Sequence, residues 1–201
     1  MGYTRSEQVL ELAREVGILR ARDLDRLGIA REHLSRLEQR GLLERIDRGL
    51  YMLSNAEVTE FHSLVEATGR VPHGVICLTS ALAFHHLTTQ APREVWMAID
   101  AKAYRPKSDV LPLRIVRFSG KALTYGIETH LIEGVRVRVY SPAKTVADCF
   151  KFRYKIGKDV AFEALRETWY ARRATAHELR SAAEVCRVWQ VMRPYLEALA
   201  A

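Results

Sequence analysis

Several features that would assign a chain to a familiar class are scarce in this sequence. It has only three cysteines in 201 residues, and they lie far apart, at Cys77, Cys149 and Cys186. An odd number of widely spaced cysteines excludes a disulfide framework and does not match metal-ligand spacing, so we expect buried, reduced thiols. The longest uncharged apolar runs are too short to span a bilayer, and the N-terminal residues MGYTRSEQ contain no apolar signal core. These absences indicate a cytoplasmic protein that does not enter a membrane.

Phosphate-binding and metal-binding motifs are also missing. The 11 glycines are scattered and form no phosphate-binding loop, and the sequence has no internal repeat and no low-complexity linker. A nuclease-like enzyme would need clustered acidic metal ligands, whereas Asp100, Asp109 and Glu128 lie far apart. His85 and His86 are adjacent, so on a helix they point about 100° apart, and neither has a cysteine or carboxylate at ligand spacing. We therefore expect structural histidines, no metal and no cofactor.

The segment SPAKTVAD, residues 141–148, brings serine, lysine, threonine and aspartate within two helical turns. Ser141 followed by Pro142 is typical of a helix N-cap and first turn, and Lys144 with Asp148 forms an i,i+4 ion pair. A serine–lysine nucleophile would need a buried, neutral lysine and an oxyanion hole, and the sequence indicates neither. We expect this segment to be structural and the protein to have no enzymatic activity.

The balance of charge favours a polyanionic partner such as nucleic acid. The chain has 31 Lys and Arg residues against 24 Asp and Glu residues, a net charge of +7. The excess is uneven, because residues 1–54 hold 10 basic and 9 acidic side chains, whereas residues 141–201 hold 11 and 7. DNA binding by the N-terminal part would therefore depend on local clustering of arginines rather than on its net charge.

Residues 1–54 have the pattern of three short helices. Ser6 is the predicted N-cap of the first helix, whose apolar stripe stops at Gly17. A second helix is predicted over residues 21–27 and a third over residues 31–40, with Gly41 as its stop. The side chains of the second and third helices that we expect to face the core are Leu24, Leu27, Leu34 and Leu37.

A hairpin is predicted after the third helix, in the run GLLERIDRGLYML at residues 41–53. Its apolar residues fall on two short strands around a turn at residues 47–49. Three helices, the second and third joined by a tight turn at Gly28 and Ile29, followed by a hairpin predict a winged helix-turn-helix domain over residues 1–54. In that fold the third helix enters the major groove, and the hairpin reaches a neighbouring phosphate or the minor groove.

The side chains predicted to bind DNA lie on the third helix and the hairpin. Burial of Leu34 and Leu37 turns the other residues of the helix toward its outer face. We expect residues near the helix start to read base edges, and later arginines to contact phosphates. The predicted base readers are Arg31, Ser35 and Arg36, the predicted phosphate contacts are Arg40, Arg45 and Arg48, and Gln39 lies on the same outer face.

Two other interpretations of these arginines stay open at this point. A helix of alternating charge is often a solvated face, with Arg36 paired to Glu32 or Arg40 paired to Glu44. Winged helices also serve as protein-interaction modules that never contact DNA.

Residues 55–201 predict an α+β domain with a helical C-terminal end. Its strands are predicted at residues 75–78, 95–99, 113–118, 127–132 and 135–140, the last two forming a hairpin around Glu133 and Gly134. Its first helix is predicted at residues 59–67, and a second begins at a cap at Thr79 or Ser80 and runs through Leu87. Four more helices are predicted at residues 141–155, 158–172, 175–185 and 186–199, with Pro194 kinking or splitting the last.

Three motifs follow one another over most of the chain. They are LGIAREHLSRLEQRGLLERIDRGLYML at residues 27–53, CLTSALAFHHLT at residues 77–88, and VYSPAKTVADCFKFRYKIGKDVAFEALRE at residues 139–167. In this order and spacing the motifs resemble the AbiEi antitoxins of type IV toxin–antitoxin systems. Members of that family pair an N-terminal winged helix with an α+β C-terminal antitoxin domain, and they are encoded beside a nucleotidyltransferase-like toxin.

The resemblance implies two activities and two partners. The N-terminal domain would repress its own operon at repeated operator sequences in double-stranded DNA, which is compatible with a monomer in solution that binds DNA cooperatively. The C-terminal domain would counter the toxin, while direct contact with the toxin stays open. A stand-alone transcriptional regulator without a toxin is the alternative. The resemblance carries Arg31, Arg36, Arg45, Arg48 and Tyr51 over as positions in the DNA-binding helix and wing, without any base assignment.

The basic C-terminal region fits two further interpretations. Its positive side chains could extend a DNA-binding surface in a salt-dependent way, or they could face an acidic partner such as the toxin. A solvated helix face is the third interpretation. The residues concerned are Lys144, Lys151, Arg153, Lys155 and Lys158.

Overall fold

The computed structural model describes residues 4–104 and 111–200, and the chain forms two compact units. The first unit holds the residues up to Pro72 together with His130–Val137, and the second holds His73–Thr129 and Arg138–Ala201. Asp109 lies outside the described residues. The predicted assignment of residues 1–54 and 55–201 to separate domains stays a prediction. Both units mix helices and strands, as an α+β chain should.

The first unit begins with three helices and a hairpin. The first helix starts two residues earlier than predicted, because Thr4 rather than Ser6 is its N-cap. The Thr4 hydroxyl accepts a hydrogen bond from the Glu7 N–H at 3.3 Å, and the Glu7 carboxylate accepts one from the Thr4 N–H at 2.7 Å. The elements are α1 (Arg5–Val16), β1 (Leu19–Arg20), α2 (Ala21–Arg26), α3 (Glu32–Gln39), β2 (Leu43–Asp47), β3 (Leu50–Leu53) and α4 (His62–Arg70).

A small antiparallel sheet of order β1-β3-β2 closes the core of this unit. Strand β1 was not predicted, because two residues are too few to show an alternating pattern; Leu19 pairs with Tyr51 on β3. The prediction for Leu27 is wrong: α2 ends at Arg26, and the Leu27 side chain at its C-cap is 52% exposed. The buried core includes Leu19, Leu24, Ile29, Leu34, Leu37, Leu43 and Tyr51.

A five-stranded sheet of order β6-β5-β4-β8-β7 has most of its residues in the second unit, and its strands β5 and β6 are parallel. The ends of β7 and β8 and the turn between them, His130–Val137, belong to the first unit. The elements that follow α4 are β4 (Val75–Ile76), α5 (Leu78–Phe84), β5 (Val95–Asp100), β6 (Leu113–Phe118), α6 (Lys121–Thr124), β7 (Ile127–Ile132), β8 (Val135–Tyr140), α7 (Pro142–Lys151), α8 (Arg153–Ile156), α9 (Lys158–Tyr170), α10 (Ala176–Val185) and α11 (Trp189–Ala200). The predicted hairpin at Glu133 and Gly134 is confirmed, with φ of 50° and 75° as a two-residue primed turn requires.

Several element boundaries in this unit differ from the predictions. Helix α5 begins at Leu78 with Cys77 as its N-cap, and Ser80 instead accepts the Trp96 N–H at 2.9 Å. The last helix begins at Trp189 because the chain takes a positive φ of 59° at Arg187, and it continues unbroken through Pro194. The predicted helix over residues 141–155 is interrupted at Phe152, which separates α7 from α8.

The core of the second unit contains a fully buried ion pair. Lys144 and Asp148 are both 0% exposed, and the Lys144 Nζ donates to Asp148 Oδ2 at 2.5 Å. The same Nζ lies 4.1 Å from the ring centre of Tyr140 and 4.7 Å from that of Phe118, so aromatic faces complete its surroundings. The i,i+4 pair predicted from the sequence is therefore confirmed, and it lies inside the protein.

The three cysteines are buried and free, as predicted. Burial raises the pKa of the Cys77 and Cys149 thiols well above the usual range. Burial, followed by the nearby Asp148 carboxylate, raises the pKa of Cys186 to about 12. The Cys186 Sγ donates a hydrogen bond to Asp148 Oδ1 at 3.2 Å, so this thiol satisfies the second oxygen of the buried carboxylate. Over residues 4–104 and 111–200, no helix is long and apolar enough to cross a bilayer.

We predict that Asp148→Ala strongly destabilises the protein, because it leaves the Lys144 ammonium buried without a counter-ion. Removing one partner of a buried pair costs about 3–5 kcal/mol, measurable as a lower free energy of unfolding in urea. The matched control is Glu184→Ala, which breaks the exposed i,i+4 pair of Arg180 and Glu184 at 2.8 Å. An exposed pair of this kind contributes less than about 1 kcal/mol. Equal effects of the two variants would contradict the prediction.

Candidate nucleic-acid interface

The turn between α2 and α3 is fixed by both backbone and side-chain contacts. Gly28 takes a φ of 63°, and the buried Ile29 donates its N–H to the Leu24 carbonyl at 3.0 Å. Arg31, the N-cap of α3, holds the Asp25 carboxylate with both Nε, at 2.9 Å, and Nη2. Hydrogen bonding and the charge of Arg31 lower the pKa of Asp25. Arg31 therefore ties the two helices together across the turn while keeping a side chain that is 60% exposed.

Helix α3 buries one side and exposes the other, as predicted. Leu34 is 1% exposed and Leu37 is fully buried, and the helix packs against α1 and β2. Arg36 lies 3.2 Å from Glu32, as one of the alternative interpretations expected. Because both side chains are more than 60% exposed, this pair is weak and a stronger anion can replace it. The exposed polar residues of the helix and its C-terminal end are Glu32, Ser35, Arg36, Gln39 and Arg40.

The hairpin of β2 and β3 exposes two of its three predicted DNA-binding side chains. Arg45 and Arg48 are exposed, and the Arg45 Nε donates to the Asp47 carbonyl at 3.2 Å. Tyr51 is only 7% exposed and packs in the core beside Leu19. The prediction that Tyr51 contacts DNA is therefore corrected: its ring supports the hairpin from inside.

A basic segment at the start of the C-terminal helices is exposed on the second unit. Lys151, Lys155 and Lys158 are exposed and Arg153 is half-buried. The Tyr154 ring, 75% exposed, has the Arg153 Cζ 4.5 Å and the Lys158 Nζ 5.5 Å from its centre. Sequence reasoning missed Tyr154, although an aromatic residue within a run of basic residues was the available signal.

Lys144 does not belong to this basic surface, and its predicted contact with DNA or toxin is wrong. Its amine is enclosed by the Asp148 carboxylate and by two aromatic rings in the core. A fully buried side chain that is already neutralised cannot reach a surface partner. The sequence placed Lys144 on a helix correctly but did not show which way it faced.

Two histidines, His85 and His62, lie within hydrogen-bonding distance of an oxygen acceptor. The His85 Nε2 lies 2.7 Å from the Tyr140 carbonyl, and the His62 Nδ1 lies 2.8 Å from the Glu133 carboxylate. Among residues 4–104 and 111–200, no three His, Cys, Asp or Glu side chains are grouped so that they could hold a metal ion.

Comparison with known proteins agrees with the N-terminal motif. Residues 7–54 match the family described as transcriptional regulators of the AbiEi antitoxin type, which confirms the predicted resemblance over this segment. That segment contains α2, α3 and the hairpin in full. The match supports a role as an antitoxin and regulator of the type IV class.

A solved structure extends the similarity in fold to almost the whole chain. The crystal structure of the RV2827C protein from Mycobacterium tuberculosis aligns with a TM-score of 0.63 over 99% of this chain and 78% of that chain. The two sequences are 13% identical, so the similarity concerns the fold alone. No curated protein sequence matches this chain closely enough to count as a relative.

We predict that Arg31→Gln raises the pKa of Asp25 toward its usual value of 3.8, because the hydrogen bonds that lower it are lost. A lowered pKa stabilises the folded turn above the usual pKa, and that contribution is lost as the pH falls through the lowered value. An NMR titration of the Asp25 carboxyl carbon measures the change. Arg26→Gln, on the same helix, is the control and should leave the titration unchanged. An unchanged midpoint in Arg31→Gln would show that the pair does not form in solution.

Proposed function

We propose that this chain is the antitoxin of a type IV toxin–antitoxin system, acting in the cytoplasm by binding rather than by catalysis. It represses its own operon by binding double-stranded operator DNA through a winged helix-turn-helix formed by α1–α3 and the β2–β3 hairpin. It also counters a nucleotidyltransferase-like toxin. The observation that carries the proposal is the set of exposed arginines at the N-cap, in the middle and at the C-cap of α3, which are Arg31, Arg36 and Arg40, inside the segment that matches the AbiEi regulators.

The division of labour within α3 follows from its position after the turn. Ser35 and Arg36 lie on the exposed side of the helix, and each has a side chain able to bond with base edges in the major groove. Arg36 exchanges a weak, solvated bond to Glu32 for a bond to DNA at little cost. Arg31 is held by Asp25, so it contributes mainly by fixing the helix start and by its charge near a phosphate.

Phosphate contacts are assigned to the arginines around this helix. Arg40 lies at the end of α3 with Gln39 beside it, and Arg45 and Arg48 lie on the hairpin; all four residues are exposed. Each phosphate neutralised by such a side chain releases a counter-ion, so binding should weaken as salt rises. These clustered arginines thus provide the attraction to phosphate that the near-neutral net charge of residues 1–54 does not provide.

The second unit is assigned to the antitoxin activity. Its exposed basic segment, which consists of Lys151, Arg153, Tyr154, Lys155 and Lys158, offers several positive charges and an aromatic ring to an acidic surface. The same segment would serve equally as a second contact with the DNA backbone.

We predict that Arg36→Ala weakens binding to the gene's own upstream DNA about tenfold or more, and weakens binding to random DNA much less. The reason is that a lost base contact costs affinity only where the correct base is present. Electrophoretic shift or fluorescence anisotropy at fixed salt measures both constants. Arg14→Ala, which removes an exposed arginine of α1 paired with Glu11, is the control.

Two results of that experiment would count against the proposal. Equal losses on both DNAs would mean that Arg36 contacts only phosphate. Wild-type protein that does not shift its own upstream DNA would favour the alternative, a winged helix that docks a protein partner.

We also predict that DNA binding and toxin neutralisation can be separated in the full-length chain. The double variant Arg36→Ala/Arg48→Ala should lose operator binding and still protect cells that co-express the cognate nucleotidyltransferase-like toxin. The opposite variant, Lys155→Glu/Lys158→Glu, should keep operator affinity and lose protection if the basic segment faces the toxin. Loss of operator affinity with full protection would instead assign the basic segment to DNA.

A further inference from the structure

The hairpin that carries Arg45 and Arg48 is irregular at one position. The pairing of β2 with β3 shifts register between Arg45 and Asp47, so Ile46 forms a bulge. A bulge leaves the backbone groups of the extra residue outside the ladder and increases the local twist of the strand. A short hairpin with an unpaired residue needs another source of order if its arginines are to keep a defined direction.

Arg70, the last residue of α4, supplies that order from outside the hairpin. Its side chain is 4% exposed, its Nη2 donates to the Ile46 carbonyl at 3.1 Å, and its Nε donates to the Asp47 Oδ2 at 2.7 Å. One buried guanidinium thus bonds both the bulged residue and the residue after it. The planar guanidinium can satisfy two acceptors in a fixed geometry, which a lysine cannot do.

Asp47 passes this constraint to both exposed arginines. Its Oδ1 accepts the Arg48 N–H at 2.6 Å, while its carbonyl accepts the Arg45 Nε at 3.2 Å. Asp47 therefore contacts three arginines: its Oδ2 accepts from Arg70, its Oδ1 from Arg48 and its carbonyl oxygen from Arg45. Any movement of Asp47 changes the position of both arginines assigned to phosphate.

Arg70 is itself held by a row of polar side chains within the same unit. Glu66, one turn earlier on α4, lies 3.4 Å from Arg70, and His62, a further turn back, lies 3.8 Å from Glu66. His62 also lies 2.8 Å from Glu133, whose side chain is 2% exposed. Burial raises the pKa of Glu133, but the hydrogen bonds from Thr59 and His62 together lower it by more. The pKa of Glu133 is therefore below its usual value.

We propose that Arg70 is a positioning residue for DNA binding: without touching DNA, it fixes the bulged hairpin so that Arg45 and Arg48 reach the phosphate backbone together. This inference rests on the proposed function, since it assigns a purpose to the hairpin of the winged helix. It goes beyond that function because it places a determinant of affinity outside residues 7–54, on a helix that contributes no exposed arginine to the interface. The order of the free hairpin can be tested without DNA.

The first measurement concerns the protein alone. Arg70→Gln should increase hydrogen exchange of the backbone amides at residues 45–48 about tenfold or more, because the bonds that order the bulge are lost. Exchange in α3 should stay unchanged. Arg138→Gln is the matched control, because Arg138 likewise donates to a backbone carbonyl, that of Gly74 at 3.1 Å, but in the second unit. Unchanged exchange at residues 45–48 in Arg70→Gln would overturn the proposal.

The second measurement is operator affinity in a double-mutant cycle. Arg70→Gln should weaken binding about three- to tenfold in the wild-type background but have almost no effect once Arg45 and Arg48 are both alanine. In an Arg36→Ala background its effect should be unchanged. A general loss of stability would reduce affinity equally in every background, so additivity with Arg45→Ala/Arg48→Ala would overturn the proposal.

Two further variants guard against a folding defect in Arg70→Gln. Asp47→Ala removes the carboxylate that accepts from Arg70 and from the Arg48 N–H. It should reproduce the faster hydrogen exchange at residues 45–48 and the energetic coupling with Arg48. Arg70→Lys keeps the charge but replaces the two bonding nitrogens of the guanidinium with one, which cannot reproduce both bonds in the same geometry, so its affinity should lie between that of wild type and Arg70→Gln. If the hairpin loosens in these variants and operator affinity does not fall, the hairpin does not contact DNA. That outcome would refute the wing's role in the proposed function and therefore the positioning role of Arg70.

Discussion

The one-sided burial of a very short helix is the constraint on which the N-terminal unit depends. Helix α3 has only eight residues, and Leu34 and Leu37 are its two buried side chains. Two inward leucines one turn apart determine the rotation of the helix about its axis, and with it the outward direction of Ser35 and Arg36. Because so few residues fix that rotation, the clamp of Arg31 on Asp25 and the sheet beneath the helix both contribute to holding it.

The second unit uses a different principle, in which a charged pair is enclosed within the core. Lys144 and Asp148 lie where apolar side chains would be simpler to bury, and the pair is surrounded by aromatic rings and by the Cys186 thiol. Such a pair contributes little net stability compared with apolar residues of similar size, but it penalises any packing that separates its members. The helix start at Ser141 and the strand end at Tyr140 are thereby kept in one arrangement.

Features set by local chemistry were predictable from the sequence, and features set by distant contacts were not. The turn at Glu133 and Gly134 and the inward leucines of α3 follow from neighbouring residues, so their predictions are confirmed. Strand β1 exists only because Leu19 and Arg20 pair with β3, and the burial of Tyr51 and Lys144 depends on chain segments that the local pattern does not show. Arg70 is a clear case, since its partners at Ile46 and Asp47 are more than 20 residues away. The site residues other than Tyr51 and Lys144 stay predictions.

The position of β2 at the edge of its sheet has a consequence for association between molecules. Of the strands in this sheet, β3 is central and β2 is an edge strand, paired with β3 on one side. Exposed edges invite pairing with strands of other chains, and proteins discourage this with charges and bulges. Glu44, Arg45 and the bulge at Ile46 occupy that edge, so the features that present the arginines also keep two hairpins from joining into one sheet. Charge-removing substitutions here therefore change self-association as well as ligand binding, and the two effects have to be measured separately.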